Sequence, residues 1–66
     1  MKLTVNGDER DVAEGITVEV LLQVMNVPPS GTAVARNSSV VKRSEQRATA
    51  LEPGDRIEII RAVAGG

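Results

Sequence analysis

The last two residues of the sequence, Gly65 and Gly66, combine a residue type and a position that could serve chemistry. Neither carries a Cβ, so the dipeptide can adopt backbone conformations closed to other residues and can enter a narrow channel in another protein. The reacting group would be the carboxylate of Gly66. A terminal carboxylate is anionic near neutral pH and becomes a good electrophile only after activation. The competing interpretation is an inert, frayed chain end.

The composition excludes most kinds of catalytic site. The chain has 66 residues with no Cys and no His, so thiolate ligands, thiol nucleophiles and the commonest general base are absent. A domain of this size buries only about 60 % of its unfolded surface, which leaves little room for an internal active-site cavity. The closest group of carboxylates, Asp8 to Asp11, is interrupted by Arg10 and is typical of a solvated turn. We therefore expect no enzyme, no metal site and no cofactor bound by this chain.

Composition also limits the partners. The chain has no Phe, Tyr or Trp on which bases could stack, and its formal net charge is −1, so nucleic-acid binding is disfavoured. The segment from Met1 to Thr4 lacks an apolar signal stretch, and no run approaches the ~20 apolar residues that would span a bilayer. These features predict a soluble, cytoplasmic protein that does not bind membranes and is a monomer when free.

The first half of the chain predicts a hairpin followed by a short helix. The alternating segment Leu3-Thr4-Val5 leads into Asn6-Gly7, a strong hairpin signal because both residues accept φ > 0, and Arg10-Asp11-Val12 would be the return strand. Thr17 is suited to cap the helix, and Asn26 is suited to the left-handed position after its end. The helix would bury one apolar stripe, spaced i, i+3, i+4 and i+7, formed by Val18, Leu21, Leu22 and Met25.

The second half predicts three strands. Thr32 to Arg36 reads as a strand that turns at Asn37-Ser38-Ser39 into a short strand at Val40-Val41. Pro53-Gly54 has the residues of a type II turn, since Pro fixes φ at the first central position and Gly supplies φ > 0 at the second. Arg56 to Arg61 is rich in β-branched residues and follows that turn directly, which favours a strand.

The order of these elements is typical of the α+β class, in which one helix covers one face of a mixed sheet. We predict a β-grasp fold over residues 1–61, with four to five strands. Residues 62–66 are expected to form a flexible C-terminal tail. The end of this segment, Ala64-Gly65-Gly66, offers too little apolar area to offset an ordering cost of roughly 1–2 kcal/mol per residue.

A candidate partner surface follows from the alternation of side chains along the third and last strands. The charged side chains of Glu58 and Arg36 should face solvent, and residues two positions apart share a face. This assignment would turn Ala33 and Ala35 beneath the helix. The predicted surface patch, beside the exit of the tail, consists of Val34, Arg36, Ile60 and Ala62.

Six short segments spread over the whole chain form a family pattern: Val5-Asn6-Gly7, Thr17-Val18, Leu21-Leu22, Ala35-Arg36-Asn37, Pro53-Gly54-Asp55 and Ala62-Val63-Ala64-Gly65-Gly66. This pattern resembles the ThiS family, the ubiquitin-like sulfur carriers of thiamin biosynthesis. The resemblance covers essentially all of the chain and implies a β-grasp fold, in agreement with the order of elements.

The resemblance also implies a reaction. An adenylating enzyme, ThiF, would use ATP and Mg²⁺ to attach AMP to Gly66, and sulfur from a cysteine desulfurase or another donor would convert this group to a thiocarboxylate. The thiazole synthase ThiG would then take the sulfur. Gly66 would be the covalent site, while Val63, Ala64 and Gly65 would lie in the active site of the partner. Such a carrier needs no catalytic side chain, which suits a chain without Cys and His.

Three alternatives remain open from the sequence. The small subunit of molybdopterin synthase has a similar fold and the same ending, but those chains are usually longer and carry aromatic residues near the start. A ubiquitin-like modifier would share the activation step and join Gly66 to a lysine. A plain interaction module would have an inert tail. A β-grasp ferredoxin is excluded because the chain has no cysteine.

Overall fold

The computed structural model describes residues 1–61. Five strands form one mixed sheet in the order β2-β1-β5-β3-β4, in which β1 and β5 are parallel and the other neighbours antiparallel. The predicted α+β architecture of a mixed sheet with one helix is thereby confirmed, and the predicted tail lies outside the described residues. The elements are β1 (Lys2–Val5), β2 (Asp8–Asp11), α1 (Val18–Val24), β3 (Thr32–Arg36), β4 (Ser39–Val41), a 3₁₀ turn (Arg43–Glu45) and β5 (Arg56–Arg61).

Two hairpins depend on residues that tolerate positive φ. Asn6 and Gly7 have φ values of 50° and 85°, and Asn37 and Ser38 have values of 49° and 72°. Two consecutive residues with positive φ match the twist of the flanking strands in a two-residue hairpin loop. The predicted hairpin at Asn6-Gly7 is therefore confirmed, although its return strand begins at Asp8, two residues earlier than predicted.

The helix begins after the predicted cap, Thr17, and ends at Val24, one residue before the last position of the predicted stripe. The Oγ1 atom of Thr17 accepts a hydrogen bond of 3.2 Å from the backbone N–H of Val20, which satisfies one of the free donors at the helix start. After the last turn, Asn26 takes the left-handed conformation with φ 57°, as predicted. Met25, the residue that caps the end of the helix, is only half-buried but packs against the core, as the predicted apolar stripe requires.

The helix covers one face of the sheet, and the core lies between the two layers. The core side chains from the strands are Leu3, Val5, Val34, Val41, Ile57 and Ile59, and those from outside the sheet are Val18, Leu21, Leu22 and Leu51. Among residues 1–61 no element covers the other face of the sheet, which we call the outer face.

A buried carboxylate connects the turn before β5 to the end of β3. Asp55 is 6 % exposed; its Oδ2 atom accepts hydrogen bonds of 2.8 Å from Nε of Arg36 and from the backbone N–H of Glu52, and its Oδ1 accepts one of 3.0 Å from Nδ2 of Asn37. Burial alone would raise the pKa of Asp55, but the hydrogen bonds from Glu52, Asn37 and Arg36 and the charge of Arg36 outweigh it and lower that pKa below its ordinary value.

Replacing this carboxylate is expected to destabilise the fold in a pH-dependent way. Asp55→Asn should lower the free energy of unfolding by about 1–3 kcal/mol at pH 7, because the amide nitrogen faces a donor in either orientation. That donor is Asn37 at the Oδ1 position, or Arg36 together with the backbone N–H of Glu52 at the Oδ2 position. A depressed folded-state pKa contributes stability that is fully present above the unfolded value of about 3.9 and is lost as pH falls through the folded value. Urea unfolding of both chains from pH 7 downward should therefore show the difference shrinking in acid.

The matched control is Asp8→Asn, which removes one carboxylate at an exposed position of β2. It should leave the free energy of unfolding at pH 7 within about 0.5 kcal/mol of the original value. Equal losses for the two variants would contradict a specific role for the Asp55 carboxylate.

Candidate functional site

The outer face of the sheet surrounds the place where β5 ends, at Arg61. Register pairs Ile60 with Ala33 and Glu58 with Ala35 across β5 and β3, and pairs Ala35 with Val40 across β3 and β4. Residues opposite each other in neighbouring strands share a face. The outer surface beside the end of β5 therefore consists of Ala33, Ala35, Val40, Glu58 and Ile60.

From the sizes of its side chains we infer that the outer surface forms a shallow apolar trough. Two small side chains, Ala33 and Ala35, form its floor on β3, and two larger ones, Ile60 and Val40, rise on either side from β5 and β4. Ile60 is 62 % exposed and Val40 is 75 % exposed. Because these apolar side chains are contiguous on an uncovered sheet face, the surface is a candidate for binding another protein. Glu58 supplies a charge at the margin of this trough.

The predicted orientation is correct for one of the described patch residues and wrong for two. Ile60 faces solvent as predicted. Val34 is only 1 % exposed and packs in the core under the helix, and Arg36 points toward Asp55 on the inner side. The fourth member, Ala62, lies outside the described residues.

The orientation of β3 is set by its apolar residue rather than by its charged one. Val34 pairs with Ile59, whose side chain is also in the core, so burying Val34 removes more apolar surface from water than burying the alanines on either side. Arg36 can share the inner side because its guanidinium meets Asp55 at 2.8 Å. The prediction that Ala33 and Ala35 lie beneath the helix is therefore wrong.

One residue near the end of β5 was not singled out from the sequence for the role that it has in the structure. The side chain of Asn6 accepts a hydrogen bond of 2.8 Å from the backbone N–H of Ile59 and donates one of 3.2 Å to the carbonyl of the same residue. The sequence identified Asn6 only as a turn residue. The partner is 53 residues away, and no local pattern reveals such a contact.

Three other kinds of site were considered among the described residues: a pocket, a metal site and a membrane-spanning helix. A concave region lined by β4 and by Arg36, Asn37, Glu45 and Thr49 lies toward the end of β3 that is remote from the Thr32 and Arg61 pair. Within residues 1–61, no group of three or more acidic, Cys or His side chains could hold a metal ion. No helix in that range is long and apolar enough to cross a membrane. The predicted tail positions Val63, Ala64, Gly65 and Gly66 lie outside the described residues.

Known proteins with similar sequences indicate the family to which this chain belongs. A family model described as the ThiS family matches residues 3–66. A thiazole synthase of Paramagnetospirillum magneticum is 39 % identical over 66 residues, which are 100 % of this chain and 20 % of that protein. The sulfur carrier protein ThiS of Escherichia coli is 30 % identical over 66 residues and is covered along 100 % of both chains.

A solved structure agrees with the fold. The crystal structure of the thiamine biosynthesis protein ThiS from Geobacter metallireducens superimposes with a TM-score of 0.86 at 35 % identity, and covers 100 % of both chains. The chain thus corresponds from end to end to the Escherichia coli protein and to the solved Geobacter metallireducens protein, but it spans only a fifth of the thiazole synthase. Since the family model extends over nearly every residue, the chain belongs to the ThiS family of sulfur carrier proteins.

Proposed function

We propose that this chain carries sulfur for thiazole formation in thiamin biosynthesis, as a thiocarboxylate on Gly66. The observation that carries the proposal is the ThiS family match, which includes both terminal glycines. The order of elements supports it, because β5 ends at Arg61 and residues 62–66 follow directly from the middle of the sheet. The role of a carrier, rather than of an enzyme, agrees with the family.

Two substitutions account for the chemistry. The first occurs at the α-phosphorus of ATP, and the second at the acyl carbon of Gly66. The Gly66 carboxylate attacks the α-phosphorus of ATP and displaces pyrophosphate, which leaves an acyl-adenylate. Hydrosulfide then attacks the acyl carbon and displaces AMP, which leaves the thiocarboxylate and releases a proton. Glycine offers the least steric resistance to this attack because no Cβ lies beside the carbonyl. ATP and Mg²⁺ belong to the adenylating partner, ThiF, and this chain supplies only the acyl group.

The outer surface is proposed as the place where ThiF binds. An extended chain spans about 3.3–3.6 Å per residue, so the five residues after Arg61 reach about 17 Å. A partner bound to the trough between Ile60 and Val40 can therefore hold an active site within about 17 Å of the end of β5. Residues Val63, Ala64 and Gly65 would occupy the channel that leads to it.

The thiazole synthase ThiG is proposed as the acceptor of the sulfur. The supporting observation is that a segment similar to this chain accounts for 20 % of a protein named thiazole synthase. A covalent connection between carrier and synthase raises the effective concentration of one at the other, so such an arrangement fits two proteins that act in sequence. A cysteine desulfurase is proposed as the sulfur source. Its persulfide would displace AMP to form an acyl disulfide, and a thiol reductant would then cleave the S–S bond and release the thiocarboxylate. The need for ATP supports action in the cytoplasm.

Intact-mass measurement tests the function. The chain is incubated with ThiF, ATP and Mg²⁺, with sulfide as the sulfur nucleophile. Replacement of one oxygen by sulfur at the C-terminus supports the carrier. A lysine-linked adduct would instead indicate a ubiquitin-like modifier, and an unchanged mass with active ThiF would indicate an inert interaction module. Transfer of the sulfur to a molybdopterin precursor but not to the substrate of ThiG would place the chain with molybdopterin synthase.

Gly65 is expected to act through its backbone and its width. Gly65→Val introduces a β-branched side chain that restricts φ and widens the segment inside the partner's channel. Adenylation should fall about 100-fold, since small misplacements of reacting atoms cost this much, while the melting temperature stays unchanged. A parallel loss of activity and stability would indicate a folding role instead.

A further inference from the structure

Strand β5 lies between two neighbours along only part of its length. Its pairing with β1 consists of Thr4 with Arg56 and Val5 with Ile57, and the backbone N–H of Asn6 then donates to the carbonyl of Ile57 at 2.9 Å. After this point β1 turns into its hairpin at Gly7, whereas the pairing of β5 with β3 continues to Arg61.

The side chain of Asn6 extends this pairing by one residue. Its amide group contacts both backbone polar groups of Ile59, the N–H at 2.8 Å and the carbonyl at 3.2 Å. These two hydrogen bonds reproduce what a paired strand would supply at that position. The positive φ of 50° at Asn6 bends the hairpin away while leaving the side chain directed at β5. Asn6 therefore combines two roles that a glycine in the same turn could not combine.

We propose that Asn6 is a positioning residue for the modification of Gly66, because its side chain fixes the end of β5 from which the terminal segment departs. This inference rests on the proposed function. Ile59 precedes Ile60 of the outer surface and lies two residues before Arg61, so the contact is beside both the docking surface and the start of the terminal segment.

The end of β5 is a sensitive position because it carries Ile60 of the outer surface. A rotation of about 10° at Ile59 moves Arg61, about 7 Å further along an extended strand, by about 1 Å. Reacting groups must meet their catalytic partners within a few tenths of an ångström to one ångström. Loss of the Asn6 contact allows the end of β5 to adopt more orientations, of which fewer suit a partner bound to the trough. Loss of the contact should therefore weaken productive binding to the partner, while the rate of the acyl reaction in the bound complex stays unchanged.

The substitution Asn6→Gly separates the effect of the side-chain hydrogen bonds from the effect of the turn conformation. Glycine accepts the positive φ of this position without strain, so the hairpin is kept while both hydrogen bonds to Ile59 are lost. The matched control is Asn26→Gly, the same substitution at a φ of 57°, where the Asn side chain makes no hydrogen bond within residues 1–61. The substrate of the assay is the full chain, and the adenylating enzyme and ATP are those of the functional test.

We expect Asn6→Gly to raise the KM for the chain in adenylation about tenfold and to leave kcat within about twofold. Amide hydrogen exchange should accelerate at Ile59 and at its neighbour Ile60 but not at Leu21 in the helix. Asn26→Gly should leave KM and the exchange at Ile59 unchanged. Asn6→Asp, a second variant, keeps the acceptor for the N–H of Ile59 but directs a carboxylate oxygen at its carbonyl, and should also raise KM at pH 7.

A KM unchanged in Asn6→Gly despite faster exchange at Ile59 would overturn the inference while leaving the proposed function intact, and so would an equal rise in Asn26→Gly. A fall in kcat alone would also overturn it, because the contact would then act on a different step. If the unmodified chain were not adenylated at all, the proposed function would fail and the inference with it.

Discussion

Removal of Gly66 is expected to abolish thiocarboxylate formation while the fold stays intact. The shortened chain still ends in a glycine carboxylate, but this carboxylate lies about 3.5 Å short of the position that the full chain reaches. A displacement of this size exceeds the misplacement of 1 Å that already costs about 100-fold in rate. Intact-mass measurement after incubation with ThiF, ATP, Mg²⁺ and sulfide should show no sulfur in the truncated chain. Its circular-dichroism spectrum should match the original, because the sheet and helix lie within residues 1–61.

The control for this deletion is Gly66→Ala, which keeps the length of the chain and adds one methyl group beside the carboxylate. It should retain measurable but reduced modification, since the carbonyl is still within reach of the partner. Sulfur incorporation into the chain that ends at Gly65, at a rate similar to the full chain, would show that the reaction does not require the carboxylate of Gly66. Equal loss in both variants would show that the site excludes a Cβ as strictly as it requires length.

The turns and caps of this fold could be predicted because each depends on a single residue type. Asn6 and Gly7 form a hairpin loop because both tolerate positive φ, and Asn26 ends the helix for the same reason. Gly54, with φ 82°, completes the predicted type II turn after Pro53. These preferences act within four residues of the chain, so the sequence alone reveals them.

The orientation of β3 depended on contacts that are remote in sequence. Arg36 was predicted to face solvent because it is charged, and this holds only if no buried partner exists. Asp55, 19 residues later, supplies that partner, and Val34 then packs in the core opposite Ile59. A strand shifted by one residue exchanges its two faces completely, so one misassigned side chain reversed the whole of β3.

The corrected outer surface keeps Ile60 at its centre, and Ile60→Asp is expected to weaken binding to ThiF by at least tenfold. The substitution places a carboxylate in the trough floored by Ala33 and Ala35, where a bound partner would exclude water from it. Truncation of a central apolar anchor commonly costs about 2 kcal/mol or more of binding free energy, and a charge adds its desolvation cost. The dissociation constant should be measured by calorimetry, with the free energy of unfolding measured in urea.

The chain offers a closely matched control for this substitution. Val24 is 60 % exposed, against 62 % for Ile60, but it lies at the end of the helix, on the opposite side of the sheet. Val24→Asp therefore introduces the same charge at the same exposure outside the proposed surface, and should leave the dissociation constant within about twofold. Val40→Asp, on the other wall of the trough, should weaken binding as Ile60→Asp does. Normal binding by Ile60→Asp, or equal weakening by Val24→Asp, would exclude the trough as the docking surface without affecting the chemistry at Gly66, because the acyl group and the surface that brings it to the enzyme belong to different parts of the chain.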